Sequence, residues 1–191
     1  MRIGLLGGSF NPAHAGHLHV ARLARQRLRL DQVWLLVSPG NPLKSAHGMA
    51  PLAARLAGAA RISDGRRVVA TAIEAAFGTR YTADTLAMLR RRFPRAWFVW
   101  LMGADNLSQM PRWRNWLGIV RTMPVAVFPR PSYNHRALAG QAAHRLRSAR
   151  LPVAAAPNLA VRCPPAWIFL PTPQHAASAT AIRAAGSGVV P

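Results

Sequence analysis

The stretch GLLGGSFNPAHAGHLHV, Gly4 to Val20, decides how the rest of the chain is read. It passes from apolar residues into two adjacent glycines, Gly7 and Gly8, and then brings three histidines, His14, His17 and His19. A short apolar run ahead of a glycine pair reads as a strand, Arg2 to Leu6, leaving a sheet through a loop. Leu18, Ala21, Ala24 and Leu28 then recur at helical spacing, so a helix over His17 to Arg29 is expected. Neither glycine carries a Cβ, so the backbone there can approach a ligand closely. The amides that follow, from Ser9 and Phe10 onward, together with the helix N-terminus, suit a phosphate group. His14 and His17 are three apart with Gly16 between them, so both imidazoles can face one ligand. His19 points elsewhere on the helix and is read as a bystander.

The same alternation continues along the chain. Gln32 to Ser38, Arg67 to Ala72, Ala96 to Met102, Val125 to Pro129 and Trp167 to Leu170 read as strands. Between and after them, Pro51 to Ile62, Thr82 to Arg92, Leu107 to Thr122, His135 to Ala149 and Ser178 to Ala185 read as helices. The fourth strand, AWFVWLM, is apolar throughout, as a strand covered on both faces should be. Strands alternating with helices predict an α/β fold with a doubly wound parallel sheet in one domain of 191 residues. The segment from Ser148 to Pro165, with 151–165 at its heart, reads as a surface connection, the part most tolerant of change.

Composition narrows the class. One cysteine, Cys163, excludes an internal disulfide and a multi-cysteine metal cage. The N-terminal apolar run is too short for a signal peptide, and Ala96 to Met102 is far below a membrane span. A soluble cytoplasmic protein with no membrane partner is expected. The formal charge of +20 suits polyanionic partners such as nucleotides or RNA, or reflects a preference for arginine over lysine. Lys44 is the only lysine, which makes it informative: a compact ammonium suits a phosphate where a planar guanidinium does not fit.

Further motifs follow the strands. SPGNPLK, Ser38 to Lys44, leaves strand two, stiffened by two prolines and ending in Lys44. RYTADTL, Arg80 to Leu86, places Thr82, Asp84 and Thr85 at a helix start, where plain capping is the alternative reading. LMGADNLSQMPRWRNW leaves strand four. Its Gly103 permits close approach, its Asp105 can accept from ribose hydroxyls, and Trp113 or Trp116 can stack on a flat ring. SATAIRA, Ser178 to Ala184, offers the hydroxyls of Ser178 and Thr180, free helix amides and Arg183 to a polyphosphate.

With HAGH standing after a strand and GGSFNP, the sequence resembles the HxGH nucleotidyltransferases, whose fold is shared with class I aminoacyl-tRNA synthetases. As a set, GGSFNPAHAGH, SPGNPLK, YTADTL, GADNL with RWRNW, and SATAIR are similar, in order and spacing, to the bacterial nicotinate-nucleotide adenylyltransferases. That resemblance covers essentially the whole chain and implies a Rossmann-like sheet with helices on both faces. It implies transfer of AMP from ATP to nicotinate mononucleotide, with deamido-NAD and pyrophosphate as products of this step in NAD biosynthesis.

By the same resemblance, His14, His17 and Lys44 are the catalytic group. Gly7, Gly8, Ser9, Phe10, Gly103, Asp105, Ser178, Thr180 and Arg183 join them on the ATP side. Asn41, Thr82, Asp84, Thr85 and Trp113 surround the mononucleotide. Mg²⁺ is expected to ride on the substrate phosphates, since only five acidic residues exist and no protein metal site is expected. Two positions depart from the family pattern. Arg130-Pro131-Ser132 stands where arginine and glycine are common, and alanine is the middle residue of SAT where serine is common. The amide acceptor, nicotinamide mononucleotide, stays open as an alternative substrate. A basic RNA-binding module on the same scaffold is the alternative from another class, and a homo-oligomer is open as well.

Overall fold

The computed structural model describes residues 1–40, 48–173, 175, 179 and 182. Six strands, β1 (Arg2–Gly8), β2 (Gln32–Val37), β3 (Val68–Thr71), β4 (Trp97–Gly103), β5 (Val125–Phe128) and β6 (Trp167–Phe169), form one sheet in the order β3-β2-β1-β4-β5-β6. Every neighbouring pair is parallel. The chain builds outward from β1 through β2 to β3, then crosses back to lay β4 on the other side of β1. The connections leaving β1 and β4 therefore diverge, and a crevice opens at the carboxyl ends of those two strands.

Within each strand the side chains alternate between two cores, as the pleat requires. Ile3, Leu5, Phe98, Trp100, Met102, Val125, Val127 and Trp167 face one layer. That layer holds α4 (Thr82–Arg92), α5 (Ala104–Gln109), α6 (Trp116–Thr122), α7 (Asn134–Leu138) and α8 (Gln141–Arg145). Val33, Leu35, Val37, Val99, Leu101, Ala126 and Ile168 face the other, packed on α1 (Ala15–Arg27) and α2 (Leu52–Arg61). A short helix, α3 (Ile73–Ala76), follows β3. These layers make the fold a Rossmann-like α/β sandwich.

Three expectations need correction. β1 runs on through Gly7 and Gly8, which pair with Leu36 and Val37 of β2, so the glycines end the strand and the loop starts after them. A Cβ on Gly7 would run into the indole of Trp100, so this position needs glycine for packing as well as for approach. The helix expected over 135–149 is three pieces: α7, α8 and a 3-10 turn at Arg147–Ala149, because Gly140 adopts an extended conformation between the first two. The stretch 151–165 is no mere surface connection. It carries a 3-10 segment, Val153–Val161, whose Ala156, Leu159 and Ala160 are buried in the second core. Most of the terminal helix expected over 178–185 lies outside the described residues.

Leu159 is fully buried, so Leu159→Ala is expected to lower the unfolding free energy by about 2–5 kcal/mol, read from urea denaturation. A loss below about 0.5 kcal/mol would return the segment to the surface role its composition suggests.

Candidate active site

A cavity of about 820 Å³ opens at the carboxyl ends of β1 and β4, within the size range of a ligand site. Gly7 and Gly8 from β1, with Gly103 and Trp100 from β4, belong to its wall, and the absent glycine side chains leave it deep. A Cβ on Gly103 would collide with the carboxylate of Asp105 and crowd Arg130, so glycine here lets those two side chains close over the strand end.

His14 and His17 stand on the wall with ring centroids 3.9 Å apart. Their order comes from the start of α1. His14 is its N-cap, and the Nδ1 of His14 accepts from the Gly16 amide at 3.1 Å. In return, the Nδ1 of His17 accepts from the His14 amide at 3.2 Å. Two imidazoles thus form the reciprocal capping pair that serine and glutamate usually supply. An Nδ1 that accepts carries no proton, so each neutral ring holds its proton on Nε2 and has one donor left. Burial, then the neighbouring His14, then Arg130 push the His17 pKa down to about 3. The pKa of His14 is lowered by burial, Arg130 and His175. The pair therefore meets a ligand as neutral donors at neutral pH.

Across the cavity, Thr82 and Trp113 stand on the wall, joined by Tyr81 and Arg114. The Arg114 guanidinium lies 4.6 Å from the centre of the Tyr81 ring. Asp105 faces Arg130, Oδ1 to Nε 3.6 Å, and this oxygen accepts no hydrogen bond from any described residue. The Trp100 Nε1 donor is likewise without an acceptor.

The expected site residues divide into three groups. Gly7, Gly8, Ser9, His14, His17, Thr82, Gly103, Asp105 and Trp113 share this one cavity. Three others are off its wall. The Phe10 ring is buried in the core, its centroid 4.6 Å from that of His17, so it supports that ring and leaves only its backbone for a ligand. Thr85 is 1% exposed, its hydroxyl 2.8 Å from that of Thr79 and within 3.4 Å of the Glu74 carboxylate and the Tyr81 carbonyl, either of which can take its one proton, so it fixes the turn behind Thr82. Asp84 is exposed in the first turn of α4, where its charge suits the helix dipole, and Tyr81 rather than a side-chain oxygen caps that helix. Asn41, Lys44, Ser178, Thr180 and Arg183 lie outside the described residues, although Ala179 of the same terminal stretch is on the wall.

His19 lines a small pocket with His17, Gly103 and Arg130, its Nε2 2.9 Å from the Pro173 carbonyl oxygen. Sequence reasoning set Arg130 aside, yet it reaches the cavity and touches Asp105. The available signal was its place just past the end of β5, beside the glycines that end β1 and β4. Glu74 was missed as well, hidden in a helix of four residues too short to show periodicity.

Residues 5–185 match the cytidylyltransferase-like family model. The chain is 60% identical over 183 residues to a probable nicotinate-nucleotide adenylyltransferase of Gluconacetobacter diazotrophicus, covering 96% of this chain and 85% of that one. It is 58% identical over 186 residues to a protein of the same name from Gluconobacter oxydans, covering 97% and 95%. Among solved structures, the Plasmodium falciparum nicotinic acid mononucleotide adenylyltransferase complexed with NaAD superposes with a TM-score of 0.69 at 15% identity, covering 96% and 82% of the chains, a likeness of fold. With the HxGH pair at the start of α1 and relatives this similar along nearly its whole length, the chain belongs to the nicotinate-nucleotide adenylyltransferase family of cytidylyltransferase-like proteins.

Proposed function

We propose that this chain transfers the adenylyl group of ATP to nicotinate mononucleotide, giving deamido-NAD and pyrophosphate. The observation that carries the reading is the capped, neutral histidine pair facing a cavity large enough for two nucleotides. An oxygen of the mononucleotide phosphate bonds to the α-phosphorus of ATP while the bond from that phosphorus to the departing pyrophosphate breaks. The attacking phosphate is already ionised, so positioning and charge stabilisation suffice, and no general base is required.

In this reading the Nε2 donors of His14 and His17 hold the ATP phosphates, with His17 on the α-phosphoryl oxygens. Lys44, Ser178, Thr180 and Arg183 take the β- and γ-phosphates, as the family resemblance implies. Gly103 and Asp105 take the adenosine side. Asn41, Thr82 and Trp113 take the mononucleotide, Trp113 by stacking. Among the described residues no three His, Cys, Asp or Glu side chains are placed to hold a metal ion. In this reading Mg²⁺ would be held by substrate oxygens, where it would neutralise the triphosphate. No helix among the described residues is long and apolar enough to cross a membrane; the reaction is placed in the cytoplasm as part of this proposal.

Charge favours the acid acceptor over its amide. Four arginines, Arg80, Arg112, Arg114 and Arg130, stand on the wall against two acids, Asp105 and Glu74. Burial raises the Glu74 pKa, which disfavours its negative form. An acceptor with one more carboxylate gains from that surplus.

Pyrophosphate release measured with ATP, Mg²⁺ and each acceptor tests the reading. We expect a higher kcat/KM for nicotinate mononucleotide than for nicotinamide mononucleotide; release with neither would overturn the proposal. His17→Ala and Lys44→Ala are each expected to lower kcat by about 10²–10³-fold, and turnover near the parent's would remove the residue from its role. Trp113→Ala should raise KM for the mononucleotide more than for ATP, and a change confined to the ATP constant would rule out the stacking.

The depressed His17 pKa has a stability signature as well. The unfolded chain binds this proton near pH 6.5 and the folded one only near pH 3, so His17 makes the fold less stable as pH falls across that window. Urea melts from pH 6.5 to pH 4 should show a slope for the parent steeper than for His17→Gln, by up to about 1.4 kcal/mol per pH unit. Parallel slopes would mean that the ring is not held neutral.

A further inference from the structure

Arg55 of α2 is 4% exposed, yet no carboxylate among the described residues pairs with it. Its guanidinium is spent on four backbone carbonyls. Nε donates to Ala50 at 2.8 Å, Nη1 to Ser9 at 2.8 Å and to Ser38 at 2.7 Å, and Nη2 to Pro39 at 3.2 Å. Ser9 follows β1, Ser38 and Pro39 follow β2, and Ala50 leads into α2 itself. One buried cation thus joins the loops that leave two adjacent strands, at the edge where the cavity opens.

The consequence lies in the peptide planes. In a trans peptide the carbonyl and the N–H of the next residue point in opposite directions. With the Ser9 and Pro39 oxygens drawn onto Arg55, the amides of Phe10 and Gly40 point away from it, and neither donates to another described residue. Gly40 belongs to the cavity wall, and so does Ser9, whose peptide carries the Phe10 amide, although the Phe10 side chain does not. Carbonyl oxygens left free at this edge would present partial negative charge to a polyanion; bound to the guanidinium, they leave the donors outward instead.

We propose that Arg55 is a positioning residue for the nucleotide phosphates: it turns the backbone of the β1 and β2 loops so that amides, not carbonyls, face the cavity. The proposal rests on the reading of that cavity as the ATP site. It assigns the effect to the planar fork of the guanidinium and not to charge alone, since the three tetrahedral donors of a lysine ammonium cannot serve four carbonyls arranged around one plane.

Arg55→Lys keeps the charge and loses the fork; Arg55→Ala loses both. Each is compared with the parent below its own melting temperature, by kcat and KM for both substrates and by calorimetric binding of Mg·ATP. We expect both variants to lose up to about 10²-fold in kcat/KM for ATP, with weaker Mg·ATP binding and a smaller change in KM for the mononucleotide. Millimolar guanidinium should restore part of the activity of Arg55→Ala, and methylammonium should not. A purely structural role would lower the melting temperature of Arg55→Lys while its folded form kept the parent's ATP constants, and that result overturns the proposal. If Arg55→Ala does not fold, Arg55→Lys decides alone. A parent that binds Mg·ATP without turning over with either acceptor would sink the proposed reaction, while the binding comparison still judges Arg55; a parent that does neither sinks both.

Discussion

The seam between β1 and β4 places everything else. These strands lie side by side because the chain reverses its direction of growth there, and their onward connections leave toward opposite faces of the sheet. Glycines at both strand ends keep the resulting crevice open, and each is forced by its own packing. Gly7 lies over the Trp100 indole, and Gly103 lies beneath Asp105 and Arg130. A methyl group at either position would displace a wall residue before it touched any ligand. Packing and ligand access therefore ask for the same residue.

On that floor the electrostatic arrangement is economical. A chain with a formal charge of +20 has no shortage of cations for a polyanion, yet the two imidazoles on the cavity wall are held uncharged. The start of α1 consumes both Nδ1 atoms, which fixes the tautomer and leaves the Nε2 donors for the ligand. Arg130 adds to the cost of protonating either ring and is restrained by Asp105. Neutral donors bind a phosphate without the desolvation cost of burying a charge beside it, and can strengthen their hydrogen bonds as charge moves to the leaving group.

Strong periodicity and turn chemistry made much of this legible from the sequence. The six strands, the parallel class and the convergence of the HAGH, YTADTL and GADNL loops followed from apolar runs that each end in glycine, proline or a small polar residue. What escaped depends on contacts between distant segments. Gly7 and Gly8 look like loop residues until the neighbouring strand supplies their pairing. Gly140 breaks a helix whose flanks read as continuous. The 3-10 segment over Val153–Val161 is buried because it covers the second core, although proline and alanine give it no clear period. Among site residues, Thr85 is drawn inward by Glu74 and Thr79, a network no single motif reveals. Arg55 is one arginine among many in the sequence, and only its four carbonyl partners set it apart.

The central claim is that one cavity on this seam holds both nucleotides, with their phosphates joined over the histidine pair. A crystal structure of the chain with deamido-NAD bound tests it most directly. The bridging phosphates should lie within hydrogen-bond distance of the Nε2 atoms of His14 and His17, with the nicotinate ring against Trp113. A dinucleotide seated elsewhere on the basic surface, with both imidazoles untouched, would contradict it.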